Sequence, residues 1–198
     1  MDFSFSSIDK NAFLIINGTH NYFIDKLMTG ASNLLIWLPL SLIIGYLLIK
    51  NFNVKTKKDF FKNSLLILFL AVLQFYVCLK FVPYFVESVV QRLSPCYDPY
   101  VSKFTHLAGG ECSNVYSFLA MRACLAFSIA TFLYFALWDK YRAFKILFIV
   151  WAILVSYSRI YLGYHFPFNV IVSDLIGIAV GFILYLVFSS LRNRVAAI

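Results

Sequence analysis

Charge is what this chain has least of: among 198 residues only 13% are Asp, Glu, Lys or Arg, while 62% are hydrophobic. Soluble globular domains run at about 25% charged and ~45–50% apolar. Too little polar surface remains to cover a core of that size. A water-soluble domain is excluded, and lipid is the expected solvent on most sides. Cysteine is sparse as well, with four residues and neither the C-x-x-C spacing of a redox pair nor the ligand spacing of a zinc site. No metal and no cofactor are expected. The N-terminal residues lack a basic n-region, and no small-residue cleavage site follows an apolar core, so no secretory leader is expected. There is no internal repeat and no low-complexity segment.

What the chain does have is aromatic and apolar sequence, with 22 Phe and 13 Tyr. Five apolar runs approach the roughly 20 residues that a bilayer-spanning helix needs. They are Leu34–Ile49, Ser64–Val82, Tyr116–Leu137, Ile146–Tyr157 (continuing to Tyr164) and Phe168–Leu191. The net charge of +8 invites a nucleic-acid partner, but the position of the basic residues argues against one. Five Lys between Lys50 and Lys62, then Lys140, Arg142 and Lys145, then Arg192 and Arg194, all lie at the ends of apolar runs. That is the pattern the positive-inside rule produces in cytoplasmic loops. With those segments inside, residues 83–115, the turn near His165 and the N-terminus fall outside. Residues Ile8 to Met28 are interrupted by Asp9, Lys10, Asp25 and Lys26, which suits a helix lying on the outer leaflet better than a span. The expected fold is therefore all-α: a single membrane domain over residues 1–198, with an interfacial segment over 1–30, five spans (alternatively six) and an outer loop over 83–115. A bacterial inner membrane suits this layout.

Cys78 and Cys124 sit inside apolar runs and are expected to be buried thiols. Cys96 and Cys112 share the outer segment, where a periplasm would be oxidising, and a disulfide pinning that loop is expected.

Ionisable residues at membrane depth carry the functional information, because each costs roughly 2.5–3.5 kcal/mol at mid-helix on insertion scales. Here they are Lys80, Glu87, Arg122, Arg159, His165 and Asp174. The run Ser158-Arg159-x5-His165-Phe-Pro-Phe-Asn169 concentrates them at the outer mouth of two neighbouring helices. If the second helix starts at Pro167, as proline in a first turn allows, His165 and Asn169 come within reach of each other.

The stretch SRIYLGYHFPFNV resembles the third signature, S-R-x5-H-x3-D, of the type-2 phosphatidic acid phosphatase superfamily. ESVVQRLSPCYDP and GGECSNVYSFLAMRACLAFSIATF are similar to the flanks of its first and second signatures, and INGTHNYFIDKLM and IWLPLSL are similar as well. The resemblance is to short bacterial membrane members that dephosphorylate polyprenyl pyrophosphates or other lipid phosphates. It implies that His165 is the nucleophile that forms a phosphohistidine, that Arg159 binds phosphoryl oxygens and that position 169 orients the imidazole. By the same resemblance, positions 87, 94 and 120 bind phosphate, and position 122 is the general acid for the leaving group.

Only Ser158, Arg159 and His165 keep the signature residues; Glu87, Ser94, Ala120, Arg122 and Asn169 replace the others. Glu87 places negative charge where a phosphoryl group docks, and Ser94 removes a planar phosphate donor. Arg122 cannot deliver a proton near neutral pH. Asn169 cannot stabilise an imidazolium by charge, and the comparable Asp-to-Asn change in the serine-protease triad costs about 10⁴ in rate. The expectation is a pseudophosphatase, a membrane subunit or lipid-phosphate-binding module. Arg122, Arg159 and His165 would form its anion site, Glu87 would pair with Arg122, and membrane lipids or a larger membrane complex would be its partners. Two alternatives stand beside it. One is a residual phosphatase acting on polyprenyl pyrophosphate or phosphatidic acid, using His165 with a substitute acid. The other is a small lipid transporter, suggested by Lys80 and Asp174.

Overall fold

The computed structural model describes residues 7–33, 37, 45–46, 57–108, 112, 114–137 and 139–196. Most of the run Leu34–Ile49 lies outside these residues. The described chain is all helical apart from turns and one isolated bridge. In chain order the helices are α1 (Ser7–Gly18), α2 (Tyr22–Ser32), α3 (Lys57–Tyr76), α4 (Val82–Val89), α5 (Met121–Ala136), α6 (Arg142–Tyr161) and α7 (Pro167–Ala196). Three continuous helical stretches, Ser64–Val89, Arg142–Tyr161 and Pro167–Leu191, are long and apolar enough to cross a membrane, and the apolar α5 is shorter. The chain is a multi-pass membrane helix bundle.

The first long stretch is one rod with a defect. Proline has no N–H to give and its ring crowds the carbonyl four residues back, so Pro83 cannot sit in an unbroken α-helix. The backbone widens to a π-turn over Val77–Phe81, where the Val82 N–H reaches back to the Val77 carbonyl, and then resumes as α4. The helix thereby runs past Val82 to Val89, and the loop that follows starts at residue 90 rather than 83.

Helices α5 and α7 form the tightest pair. Gly177 and Gly181 lie against the backbone carbonyls of Cys124 and Ser128, so an added Cβ would collide with main chain. Small residues at such a seam let two helix backbones approach closely. Cys78 and Cys124 are buried in the same region and unbridged. Inside the bundle, Gln74 Nε2 donates to Ser128 Oγ at 2.7 Å and Ser156 Oγ donates to Asp174 Oδ1 at 2.7 Å. Asp174 thus has a local partner in the neighbouring helix, while Lys80 is exposed.

Two expectations change. The apolar run starting at Tyr116 does not begin a helix there. Residues 114–120 stay extended because Ser94 N–H bonds the Val115 carbonyl and Ser117 N–H bonds the Arg92 carbonyl, around the bridge between Leu93 and Tyr116. The helix starts only at Met121. The N-terminal segment is a hairpin of two helices rather than one, because Asn21 leaves helical geometry and caps α2 by accepting from Phe23 N–H at 2.9 Å. This hairpin is packed onto α6: Phe13 is fully buried against Phe166, and Asn17 is fully buried too.

A clamp fixes the hairpin. Asn17 Nδ2 donates to the carbonyls of His106 and Tyr161, both at 2.8 Å, and Asn17 Oδ1 accepts from the His106 N–H at 2.7 Å. Asp25 accepts from the Tyr161 hydroxyl at 2.7 Å and lies 3.1 Å from His106 Nε2. In the loop after α4 Cys96 and Cys112 are joined as a disulfide, and Lys10 pairs with Asp98 at 2.8 Å.

Candidate active site

The site starts from a turn. Helix α6 ends at Tyr161, and Gly163 follows with φ +82, a conformation that costs glycine little because it has no Cβ. A side chain there would meet the His106 carbonyl at 2.8 Å. The chain then doubles back, so that the N–H groups of Tyr164 and His165 both reach the Arg159 carbonyl, at 3.1 and 3.2 Å. This is the physical content of the S-R-x5-H spacing: the Arg ends one helix, and the turn returns the His to its backbone. Helix α7 then begins at Pro167, and Asp9 Oδ1 accepts from the Phe168 N–H at 2.9 Å.

His165 is 4% exposed. Its Nδ1 lies 3.3 Å from the Ser117 carbonyl and 3.3 Å from Ser117 Oγ. A carbonyl only accepts, so this contact calls for the proton on Nδ1 and leaves the lone pair on Nε2. Burial, then the positive charge of Arg159 and more weakly of Arg122, pushes the His165 pKa down to about 3, with the Ser117 backbone contact opposing them. The imidazole is neutral at physiological pH. A neutral ring with a free Nε2 is the nucleophilic form.

Asn169 does not contact the imidazole as its sequence position suggests. Its Nδ2 donates to the same Ser117 carbonyl at 3.2 Å, and its Oδ1 accepts from Arg92 Nη1 at 2.5 Å. His165 and Asn169 therefore meet through Ser117, whose carbonyl takes the place of the carboxylate the signature calls for. Arg92 also pairs with Asp9 at 2.6 Å and lies 4.2 Å over the Phe166 ring. Arg92 and Ser117 escaped the sequence reading. One signal pointed to Arg92: it lies two residues before Ser94, the position of the signature Arg, and alternate residues of an extended strand share a face.

Two further arginines converge on one atom. Arg159 Nη1 donates to Ser32 Oγ at 2.7 Å, and Arg122 Nη1 reaches the same oxygen at 3.3 Å and the Ser32 carbonyl at 3.0 Å. Arg159 is buried, with its guanidinium 4.1 Å over the Tyr164 ring and its Nε without a hydrogen-bond partner among the described residues. A buried, unpaired guanidinium N–H beside a second cation is a donor waiting for an anionic acceptor. Ser32 lies at the end of α2 and was not singled out by any motif.

The remaining signature positions stay outside this convergence. The Ser158 hydroxyl bonds back to Val155 of its own helix at 2.6 Å, and Ala120 is buried with its N–H on Ser173 Oγ at 2.8 Å. Ser94 is fully buried beside Cys96, with its Oγ 3.7 Å from Cys96 Sγ. Glu87 is half-buried on α4, and among the described residues it forms no ion pair with Arg122, which holds Ser32 instead. The expected Glu87–Arg122 plug is not there.

A Lipid A 4'-phosphatase of Bacteroides thetaiotaomicron is 28% identical over 190 residues, 96% of this chain and 80% of that protein. A Lipid A 4'-phosphatase of Porphyromonas gingivalis is 26% identical over 94% of this chain and 75% of its own length. These relatives overturn the pseudophosphatase expectation, since proteins similar along nearly the whole chain carry the name of a phosphatase. The inference of inactivity treated five signature positions one at a time and missed Arg92, Ser117 and Ser32. Two crystal structures share the fold. LpxE of Aquifex aeolicus matches with a TM-score of 0.64 and 24% identity, over 93% of this chain and 98% of that one. A PAP2 type phosphatidylglycerolphosphate phosphatase of Bacillus subtilis matches with a TM-score of 0.59 and 23% identity, over 95% of this chain and 86% of that one. The family model for the PAP2 superfamily matches residues 64–192, and the chain belongs to that superfamily.

Proposed function

We propose that this chain is a lipid phosphomonoesterase that removes a phosphate from a glycolipid headgroup of the lipid A class, through a phosphohistidine at His165. The observation that supports it most is the neutral imidazole held through Nδ1 by the Ser117 carbonyl, next to the buried Arg159 with its unpartnered Nε. In the first step His165 Nε2 forms a bond to phosphorus, and the bond to the headgroup oxygen breaks. In the second, water attacks phosphorus and the nitrogen–phosphorus bond breaks. Arg159 and Arg122 neutralise the phosphoryl oxygens throughout, which is where electrostatic preorganisation contributes most. The relatives' names support the substrate class. The charge pattern supports an inner-membrane setting with the site facing the periplasm.

The test is phosphate release from a 4'-phosphorylated lipid A by the purified protein in mild detergent, with phosphatidic acid as a second substrate. Release from lipid A that disappears in His165→Asn is the expected result. Equal release by the variant, or none by the native protein, would reject the proposal.

A further inference from the structure

The signature that this family shares places a general acid at position 122, and this chain has an arginine there, which cannot give up a proton near neutral pH. A sugar alkoxide still needs one. The other two histidines are not in the cradle: His106 holds Asp25, and His20 stacks on His106 at 4.1 Å. The Tyr164 ring is the stacking face of Arg159. The hydroxyl at the centre of the two arginines belongs to Ser32.

We infer that Ser32 is the proton donor for the leaving group, a reading that rests on the phosphatase function proposed above. Hydrogen-bond arithmetic carries it. A serine hydroxyl has two lone pairs and one proton. Arg159 and Arg122 both donate into Ser32 Oγ, which occupies the lone pairs and leaves the proton as the group's remaining valence. Among the described residues no acceptor takes that proton. Two cationic donors on one oxygen also stabilise its deprotonated form, which makes the hydroxyl more acidic than a serine in water. Ser32 is buried at the Arg159 guanidinium, whose unpartnered Nε marks the place for a phosphoryl oxygen. It lies ahead of residues 64–192, so the superfamily's own signatures do not supply it.

The step balances. As His165 Nε2 bonds to phosphorus, the phosphorus–oxygen bond to the sugar breaks and the Ser32 proton moves to that oxygen, releasing a neutral alcohol. Ser32 Oγ is left as an alkoxide between the two guanidinium groups. The water that cleaves the phosphohistidine returns one proton to Ser32 Oγ and leaves its hydroxyl on phosphorus. Ser32 thus acts as acid in the first step and base in the second.

The experiment compares leaving groups in the first turnover, by rapid quench of the full-length protein with dodecyl phosphate and with 4-nitrophenyl phosphate. Dodecanol needs a proton to depart and nitrophenolate does not. Ser32→Ala is expected to slow dodecanol release by about 100-fold or more and nitrophenolate release by less than about fivefold, the contrast expected for a lost general acid. Ser32→Thr, which keeps the hydroxyl, is expected to recover much of the dodecanol rate. Equal slowing of both substrates would make Ser32 a positioning residue for the arginines and overturn the inference. So would no slowing of either, or a selective loss in Tyr164→Phe in place of Ser32→Ala. Failure of the native protein to release either alcohol would instead reject the phosphatase reading itself.

Discussion

His165 works through what its two nitrogens face. The Ser117 carbonyl takes the Nδ1 proton, and burial beside Arg159 keeps the ring from gaining a second one. The sign is that of a depressed histidine pKa. The folded state favours the neutral ring, so the stabilisation is complete above the ordinary value of 6.5 and is lost as pH falls from there towards about 3. Isotope-labelled His165 is expected to keep the neutral, Nδ1-protonated nitrogen signature from neutral pH down to about pH 5. A titration midpoint near 6.5 would contradict the assigned environment. Asn169 carries a prediction against the family pattern. Replacing it by Asp would restore the signature residue, but it would remove the donor to the Ser117 carbonyl and set a carboxylate against that oxygen. The carbonyl keeps the His165 Nδ1 proton but loses one of its two donors, a hydrogen bond worth about 0.5–1.5 kcal/mol. Asn169→Asp is expected to lower phosphate release by roughly 2- to 10-fold rather than raise it. A gain in rate would show that the new carboxylate reaches Nδ1 directly.

Among the elements, the α1–α2 hairpin matters most to the site, because its last residue is Ser32 and its docking sets where the two arginines meet. The hairpin is held by Asp25, which binds Tyr161 at the end of α6 and His106 in the loop between α4 and α5. Burial raises the Asp25 pKa, but hydrogen bonds from Tyr161 and His106 outweigh it, and the carboxyl titrates below its ordinary 3.8. A carboxyl with a depressed pKa stabilises the fold above its ordinary value and loses that contribution as pH falls through its folded one. Asp25→Asn is therefore expected to lower the thermal midpoint at neutral pH, measured in detergent. The gap from the native protein should close as pH drops below about 3.8. A gap that persists unchanged at lower pH would mean that the hairpin is not held by this charge. Arg92 belongs to the same scale, because it links α1 through Asp9 to α7 through Asn169.

Across the whole molecule, the sequence reading succeeded where information is local. Three of the five apolar runs match helices long and apolar enough to cross a membrane, and the S-R-x5-H spacing gave the Arg159–His165 unit, because a single turn around Gly163 joins the two. It failed where residues meet over long separations. The bridge between Leu93 and Tyr116 holds Arg92 beside Ser117, and the docked hairpin brings Ser32 to Arg122 and Arg159. No periodicity encodes either contact. Judging catalysis from positions 87, 94, 120, 122 and 169 alone overlooked groups that reach the same space from other elements. The central claim is that these groups converge to make His165 a nucleophile towards phosphorus. Its most direct test is to mix the purified protein with lipid A carrying a radiolabelled 4'-phosphate, quench within the first turnover and map the label. The account predicts an acid-labile, base-stable phosphate on the peptide containing His165, absent in His165→Asn. Phosphate released with no trapped label on that peptide would contradict it.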